Sequence, residues 1–465
     1  MNANTNIKQG YKQTSLGILP QEWEVVRLGE VCFVQSGGTP SKNEKNYWEN
    51  GTIKWLGSSV CRNLHYVDEI TDFITERGLQ NSSAKIFKQG TTLIALVGAT
   101  IGKVAFLNFE AATNQNIAGI YPQDEKTLNQ TFLFYISLML HKEFIRLSSD
   151  KFKMANLSFV KSLQIPLPPL AEQEKIAQIL GVWDKGISVL KSLIEAKTKR
   201  KKALMQRLLT PPTHPLTPSA REGEQKSHHD TKAPPLAGGV GVGYSHIENN
   251  RNDDKVLDCH DLTASNLTMT EKNSKAEQSL RFAEFTDKWQ EMRLRDICEI
   301  KKGEQLNKLS LSNNSEGKFA VINGGILPSG YTDKFNTNEN TITISEGGNS
   351  CGFVNFIKEK FWSGGHCYAI MNSKASVLYL YYFLKFKETF IQELRVGSGL
   401  PNIQKKDIEN FKVSFPTLAE QKKIAQVLSA CDKEIELLKS KFQCLKTQKK
   451  GLMQRLLNGK VRVKC

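Results

Sequence analysis

Two stretches of the chain carry the same hydrophobic pattern. In residues 170–210 apolar side chains recur at steps of four and three, and the pattern returns 248 residues later in 418–458. This spacing places an apolar stripe along one face of an α-helix. Prolines precede both stretches, and proline allows a helix to begin while opposing helix upstream. The pattern therefore predicts two long helices, each about 60 Å in length.

The two predicted helices are copies of each other. They align without a gap, and 23 of the 41 aligned residues are identical. The alternative, two unrelated amphipathic helices lying on globular domains, does not explain identities outside the stripe, such as Gln206 and Gln454. Lys201 and Lys449 hold equivalent places within the stripe, where a polar residue can fix helix register. The predicted seam consists of Ile176, Leu180, Trp183, Ile187, Leu190, Leu204, Leu208, Ile424, Leu428, Ile435, Leu438, Leu452 and Leu456.

A weaker repeat marks the start of each half of the chain. The segment Trp23–Leu28 is echoed by Trp289–Leu294, at an offset of 266 residues. Between this entry and the long helix the two halves differ, although both have short β-like runs followed by a helix. The runs are 91–97, 103–107, 341–344 and 352–357, and the helices are expected near 129–147 and 375–395. The pattern predicts an α+β fold built from two half-molecules.

The charge of the chain points to a polyanionic partner. The formal net charge is +16, and residues 211–280 carry seven Lys/Arg against ten Asp/Glu, so the remaining 395 residues carry +19. The composition of 211–280 is rich in Pro, Gly and Ser and lacks periodicity, which predicts a flexible linker. Nucleic acid is favoured over a membrane because the longest apolar run, 132–140, is too short to span a bilayer.

The cysteines and the N-terminus favour a cytoplasmic protein. Nine cysteines are scattered singly, without a CxxC pair. That spacing is typical of free thiols in a reducing compartment rather than of a disulfide framework or a zinc site. The first thirteen residues contain no apolar core of the kind found in signal peptides.

Motifs for catalysis are weak. The segment 98–103 resembles a phosphate-binding loop, but it is one residue short and Val104 replaces the Ser or Thr that follows the lysine. Cys351, His366 and Cys367 are too few and too close to hold a zinc ion convincingly. We therefore predict that the chain binds rather than catalyses, and that it holds no metal or cofactor of its own.

These features together resemble the specificity subunit of Type I restriction-modification enzymes. The most specific marks are Leu170–Gln173, repeated at Leu418–Gln421, and the segment Leu204–Leu209, repeated at Leu452–Leu457. In the first half, the region between Leu28 and the long helix also resembles one class of target-recognition domain, in 37–41 and 98–103, among other segments. In the second half, the region between Leu294 and the long helix resembles another class, in segments that include 344–350 and 362–366.

The resemblance implies a two-domain DNA reader. Two α/β target-recognition domains would be separated by two long antiparallel coiled-coil helices with a pseudo-two-fold internal repeat. Each domain would read one half of a split double-stranded DNA target, while the helices set the gap and bind methyltransferase subunits. Motor-nuclease subunits would join that core, and S-adenosylmethionine, ATP and Mg would be used by those other subunits. The expected parts are a first target-recognition domain (1–165), a first spacer helix (166–210), a flexible linker (211–280), a second target-recognition domain (281–415) and a second spacer helix (416–465).

Candidate DNA contacts are polar and aromatic residues in the glycine-rich loops. Side chains of this kind can hydrogen-bond base edges or phosphates, although ordinary turn chemistry is the competing interpretation for each residue. The candidates are Thr39, Lys42, Tyr47, Trp48, Thr100, Lys103, Asn114, Gln115, Asn323, Ser329, Tyr331, Glu346, Asn349, Ser350 and His366.

Two other functions fit parts of the sequence. The chain could be a solitary DNA-binding adaptor without a motor subunit, or a repeat-built scaffold that binds no DNA. Neighbouring genes for a methyltransferase and a helicase-nuclease would favour the restriction-modification role. Salt-dependent retention on DNA would separate both DNA-binding roles from the scaffold.

Overall fold

The computed structural model describes residues 7–63, 66–67, 69–146, 154–212, 279–307, 311–316, 318–397, 399 and 401–464. The predicted linker 211–280 lies almost wholly outside these residues. The chain forms two compact units, unit 1 from Met1–Leu193 with Leu438–Cys465, and unit 2 from Ile194–Leu437. Each unit therefore contains one half of each long helix, because the unit boundaries fall within both helices.

Unit 1 begins with a hairpin and then alternates short strands with short helices. Its strands are β1 (Tyr11–Thr14), β2 (Gly17–Pro20), β3 (Glu24–Arg27), β4 (Cys32–Ser36), β5 (Ile53–Leu56), β6 (Asp72–Ile74), β7 (Ile86–Phe87), β8 (Thr92–Ala95), β9 (Val104–Phe106), β10 (Ala111–Thr113), β11 (Ile117–Pro122) and β12 (Gln164–Leu167). Its helices are α1 (Leu28–Val31), α2 (Glu76–Gln80), α3 (Gln130–Met139), α4 (His141–Arg146), α5 (Leu157–Ser162) and the first part of α6 (Leu170–Leu208).

Unit 2 follows a similar order of elements. Its strands are β13 (Gln290–Arg293), β14 (Glu299–Lys302), β15 (Phe319–Ile322), β16 (Gly330–Thr332), β17 (Thr341–Ser345), β18 (Val354–Ile357), β19 (Phe361–Ser363), β20 (Cys367–Met371) and β21 (Lys412–Phe415). Its helices are α7 (Leu294–Ile297), α8 (Val377–Phe386), α9 (Glu388–Glu393), α10 (Lys405–Glu409) and the first part of α11 (Leu418–Leu457).

The two units share one sheet topology despite their dissimilar sequences. The main sheet has the order β4-β11-β8-β9 in unit 1 and β14-β20-β17-β18 in unit 2, with antiparallel pairing throughout. The second sheet contains one parallel pair in each unit, β5 with β10 in a sheet of four strands in unit 1 and β15 with β19 in a sheet of three strands in unit 2. The sequence therefore diverged between the halves more than the arrangement of their strands did.

The helices predicted near 129–147 and 375–395 are each divided in two. The backbone N–H of Leu140 bonds to the carbonyl of Ser137, three residues back, and this tighter turn separates α3 from α4. In unit 2, Lys387 lies outside helical geometry, with φ −91° and ψ 11°, and separates α8 from α9. The prediction of one continuous helix in each half was wrong, because the apolar pattern alone does not show where each helix is interrupted.

Each long helix is continuous over the predicted length. Helix α6 has 39 residues and α11 has 40, which corresponds to roughly 60 Å at 1.5 Å per residue. All the predicted seam positions are buried or half-buried. The fully or largely buried ones, with at most 7% of their surface exposed, are Ile176, Leu180, Leu190, Leu208, Ile424, Leu428, Ile435 and Leu456.

Within each unit the halves of the two long helices contribute to one hydrophobic core. In unit 1, Ile176 and Leu180 of α6 belong to the same core as Leu456 and Leu457 of α11. In unit 2, Leu208 of α6 joins the core that contains Ile424 and Leu428 of α11. The early turns of one helix thus meet the late turns of the other, so the two helices run antiparallel within each unit. Full burial of each such side chain stabilises the fold by about 1.5–3 kcal/mol.

Among the described residues, no helix combines the length and apolarity that crossing a membrane requires. The described cysteines are free thiols, as predicted.

Candidate nucleic-acid interface

The repeated Glu-Gln pair at the start of each long helix anchors the helix to its unit. In unit 1 the buried carboxylate of Glu172 accepts hydrogen bonds from Trp23 Nε1 at 2.8 Å and from both Arg462 Nε and Nη2, at 2.7 and 3.0 Å. In unit 2, Glu420 accepts a matching pair from Arg281 Nε and Nη2, at 2.9 and 2.8 Å. Such two-pronged pairs fix geometry as well as adding energy.

The glutamine of the same motif holds the chain just before the helix. Gln173 donates to the carbonyls of Thr127 and Pro168 and accepts from the backbone N–H of Asn129. Gln421 donates to the carbonyl of Pro416 and accepts from the N–H of Ser376. The sequence identity of the two motifs is therefore explained by structural anchoring.

After each long helix the chain folds back onto the last turn of that helix in the same way. The N–H of Val461 bonds to the carbonyl of Arg455 in unit 1, and the N–H of Leu280 bonds to the carbonyl of Arg207 in unit 2. Three residues, 458–460, connect Leu457 to Val461. The equivalent connection in unit 2, from Leu209 to Leu280, has 70 residues.

This comparison predicts that the long connection is dispensable for folding. Replacing 210–279 by Asn-Gly-Lys, the residues found at 458–460, should leave the fold intact. Shortening the connection from 70 residues to three should stabilise the chain by at most about 3 kcal/mol, because the entropy of loop closure grows only logarithmically with length. Thermal unfolding checks this prediction, and a Tm well below that of the parent chain would show that the segment contributes to the folded structure.

Matched lysine–aspartate–tyrosine clusters connect the long helices to each unit. In unit 1, Asp184 of α6 pairs with Lys449 of α11 at 2.5 Å and accepts a hydrogen bond from Tyr135 Oη at 2.7 Å. Asp432 of α11 in unit 2 likewise pairs with Lys201 of α6 at 2.5 Å and accepts from Tyr382 Oη at 2.8 Å.

Each cluster joins three helices, and the lysine lies over the tyrosine ring, 5.3 Å from the centroid in unit 1 and 5.2 Å in unit 2. Burial, reinforced by the neighbouring carboxylate, raises the pKa of both Tyr135 and Tyr382. Both tyrosines therefore remain protonated and able to donate. Lys201 and Lys449 were predicted to fix register, and these pairs provide the physical means. The aspartates were not singled out from the sequence, although Asp184 and Asp432 are identical at the repeat offset.

The glycine-rich segments that follow β8 and β17 are tight hairpin turns. Gly98 and Gly102 adopt positive φ angles of 70° and 71°, and Gly348 and Gly352 adopt 78° and 81°. A Cβ at Gly102 would lie 2.6 Å from Phe144 Cβ, so side chains are excluded there. The segment 98–103 thus connects two antiparallel strands, whereas a phosphate-binding loop leads from a strand into a helix.

These turns carry four of the predicted DNA contacts. Asn349 is exposed, while Thr100, Lys103 and Ser350 are half-buried. The Oγ1 of Thr100 lies 3.5 Å from the carbonyl of Val97, at the limit of a hydrogen bond. The turns therefore present Asn349 most openly to a ligand.

A second group of candidates in unit 1 lies around the loop after β4. Thr39 Oγ1 donates to Gln115 Oε1 at 2.6 Å, which brings these two polar side chains together. Gln115 and Lys42 are exposed. Gly37 allows the loop after β4 to lie against the backbone of Thr113, because a Cβ at Gly37 would lie 2.0 Å from the carbonyl oxygen of Thr113.

Three other candidates in unit 1 make contacts within their own unit. Trp48 donates from Nε1 to the carbonyl of Ser41 and packs edge-on against Trp55. The carbonyl of Tyr47 accepts from the N–H of Thr75. Asn114 Oδ1 accepts from the N–H of Asn116 and thereby shapes its own loop. Local structure alone accounts for these contacts.

Unit 2 contains an open cleft lined by amide and hydroxyl side chains. Its lining residues are Gln305, Leu306, Leu311, Asn313, Val321, Asn323, Ser329 and Gly364. Asn323 also accepts, through Oδ1, a hydrogen bond of 3.1 Å from the N–H of His366. Amide groups both donate and accept, as recognition of base edges requires. The cleft therefore combines Asn323 and Ser329 of the predicted set, while Tyr331 is half-buried in β16 beside it.

Glu346 is buried at the end of β17, with 4% of its surface exposed. Its Oε1 accepts from Lys302 Nζ at 2.5 Å and from Tyr368 Oη at 2.9 Å, and its Oε2 lies 3.3 Å from His366 Nδ1. Burial disfavours the charged carboxylate, but the hydrogen bonds from Lys302 and Tyr368 outweigh that effect and lower the pKa of Glu346.

Glu346 therefore does not reach outward as a DNA contact, which corrects the sequence-based expectation. The exposed members of this group are His366 and Lys302. Lys302 and Tyr368 were missed from the sequence because their partner is distant in the chain and no local pattern links them.

Comparison with known proteins gives these features a family. Residues 20–197 and 286–447 match the family described as Type I restriction modification DNA specificity domain. The chain belongs to this family.

Relatives extend over nearly the whole chain. The protein named as the type I restriction enzyme MjaX specificity subunit, from Methanocaldococcus jannaschii, is 26% identical over 98% of both chains. The MjaVIII specificity subunit of the same organism is 22% identical over 96% of this chain and 94% of its own. Among solved structures, the S subunit of a Type I restriction-modification system from M. genitalium covers 98% of both chains with a TM-score of 0.57 at 18% identity. That likeness shows that the specificity-subunit fold is present.

Proposed function

We propose that the chain is the DNA-recognition subunit of a Type I restriction-modification complex, with each unit reading one half of a split target. The observation that carries the proposal is the duplication of the main sheet and of its attachment to the long helices. The same strand order occurs twice, and each copy is anchored to the long helices by the same buried Glu–Arg pair and the same Lys–Asp–Tyr cluster. A duplicated reader suits a target with two parts, and the net charge of +16 suits the phosphate backbone.

The long helices are proposed to act as a coiled-coil spacer with pseudo-two-fold symmetry. The antiparallel pairing within each unit supports this arrangement, as do the equivalent lysine–aspartate pairs. The spacer would then determine the distance between the two half-sites on the DNA.

The first long helix also offers a surface for a partner. Val182, Val189 and Leu193 of α6 are exposed by 68%, 61% and 40%, at spacings of seven and four residues that place them on one face. This exposed stripe is distinct from the buried seam on the same helix. We propose that it contacts a methyltransferase subunit, since the family resemblance implies that those subunits bind the helices.

Other components of the complex are proposed on the same basis. Motor-nuclease subunits would join the methyltransferase core, and S-adenosylmethionine, ATP and Mg would be bound by those subunits rather than by this chain. The complex would act on DNA in the cytoplasm.

DNA binding provides the first experimental test. The purified chain, alone and with its methyltransferase partner, should bind duplex DNA with an affinity that falls steeply as salt rises, because Lys and Arg displace counterions from phosphates. Failure to bind DNA in either form would favour the scaffold alternative. Binding and methylation without association of a motor-nuclease subunit would favour the solitary adaptor.

A domain exchange tests the modular reading of the target. Replacing 23–165 by the equivalent region of a relative with a known target should change one half-site and leave the other intact, because each unit has its own core. Methylation sequencing gives the result directly. A change in both half-sites, or in neither, contradicts the assignment of one half-site to each unit.

A further inference from the structure

The buried carboxylate of Glu346 stands where unit 1 has a leucine. The hairpins of the two units have matching registers, with Ile94 opposite Val104 and Ile344 opposite Val354, so Leu96 and Glu346 are equivalent. The N–H of Leu96 bonds to the carbonyl of Asn116, and the N–H of Glu346 bonds to the carbonyl of His366. The same backbone framework therefore holds Leu96 beside Asn116 in one unit and Glu346 beside His366 in the other.

A leucine suffices for the fold at this place, since Leu96 is buried with 5% exposure. A buried carboxylate is costly unless it is fully paired, and Glu346 needs both Lys302 and Tyr368 to compensate. The fold alone does not account for this costlier choice. What Glu346 adds is its Oε2, which faces the imidazole of His366.

The contact with Glu346 sets the hydrogen-bonding character of His366. An ionised carboxylate can only accept hydrogen bonds, so the contact with Glu346 favours the form of His366 that carries a hydrogen on Nδ1. In the neutral ring, Nε2 is then an acceptor. The side chain of His366 is 64% exposed, and its backbone N–H is bonded to Asn323 of the amide-lined cleft. The second nitrogen of an oriented imidazole is thus available at the edge of this cleft.

We propose that His366 reads one base pair of the half-site bound by unit 2, and that Glu346 is the positioning residue that orients its ring. The neutral Nε2 would accept a hydrogen bond from the exocyclic amino group of adenine or cytosine in the major groove. This proposal rests on the proposed function in DNA recognition and assigns a specificity role to one pair of residues within it.

The test uses the complete complex with its methyltransferase and a DNA library randomised across the target. His366→Ala should reduce discrimination at one base position of one half-site by about tenfold or more, the range expected for losing a specific base contact. Glu346→Gln should relax the same position, because an amide can present either a donor or an acceptor to Nδ1 and no longer fixes the tautomer. The other half-site should be unchanged in both variants.

Two further variants separate readout from folding. Glu346→Leu copies unit 1, so it should fold and should relax the same base position as Glu346→Gln. Glu299→Gln makes the matched chemical change at an exposed position of β14 and should leave the target unchanged. A general loss of methylation with an unaltered sequence preference would assign Glu346 a structural role and overturn the proposal.

The possible failures can be told apart. If the parent complex methylates a defined split target and His366→Ala leaves preference at every position unaltered, the readout proposal is wrong while the proposed function stands. If the parent complex shows no sequence preference, the proposed function and the readout proposal fail together.

Discussion

Lengthening both long helices by four residues should move methylation to a target with a longer gap and abolish it at the original target. The insertions are placed after Lys197 in α6 and after Ile435 in α11, because Lys197 faces Glu434 and the two helices run antiparallel there. Four helical residues add about 6 Å. A base pair of B-DNA adds about 3.4 Å and about 35° of rotation, so the new gap should be longer by one or two base pairs.

Inserting four residues into both helices allows both lysine–aspartate pairs to form at the same time. Four residues added to α6 alone would force Asp184–Lys449 and Lys201–Asp432 into conflicting registers. The single insertion is therefore the matched control, and it should lower stability as well as activity. Methylation sequencing of strains carrying each variant reports the gap. An unchanged gap in the doubly extended protein would show that the helices do not act as a spacer and would leave them as binding surfaces.

Replacing Leu190 by aspartate should destabilise the chain by about 3–5 kcal/mol, whereas the same change at the neighbouring Val189 should alter stability by less than about 1 kcal/mol. Leu190 has 7% of its surface exposed and Val189 has 61%, so the two substitutions add the same charge to a buried and to an exposed position of α6. Chemical denaturation of the purified variants measures the difference.

The same pair of variants separates the seam from the partner surface. Val189→Asp should fold normally but bind the methyltransferase subunit more weakly, because its charge would lie in the exposed stripe. Similar losses of stability in both variants would contradict the seam assignment. Unimpaired assembly of Val189→Asp would remove the exposed stripe from the proposed interface.

The long helices were predictable from sequence because their apolar spacing is regular over forty residues and occurs twice. The four predicted strands were placed within a few residues for a related reason, since runs such as 91–97 are short, largely buried and bounded by Gly90 and Gly98. The common topology of the two units was not predictable. Strand order depends on pairings between distant residues, such as Ile120 with Val34 and Ala112 with Trp55, which leave no repeated sequence.

The candidate interface was predicted only in outline. Glycine-rich loops were located correctly, but their individual roles depend on contacts across the fold. The glycines that follow Glu346 predict an exposed side chain, whereas its carboxylate is buried and accepts hydrogen bonds from Lys302 and Tyr368. Trp48 likewise packs on Trp55 within its own unit. The repeat could have revealed Asp184 and Asp432, because residues that are identical in both copies but lie outside the apolar seam indicate a specific partner.

The most direct test of the central claim is single-molecule methylation sequencing of a host genome that carries this chain with its methyltransferase. The proposed function predicts methylation within one split motif, composed of two short defined half-sites separated by a single fixed gap of unspecified bases. A continuous motif, a variable gap, or no methylation dependent on this chain would contradict the proposal that its two units read the two halves of one target.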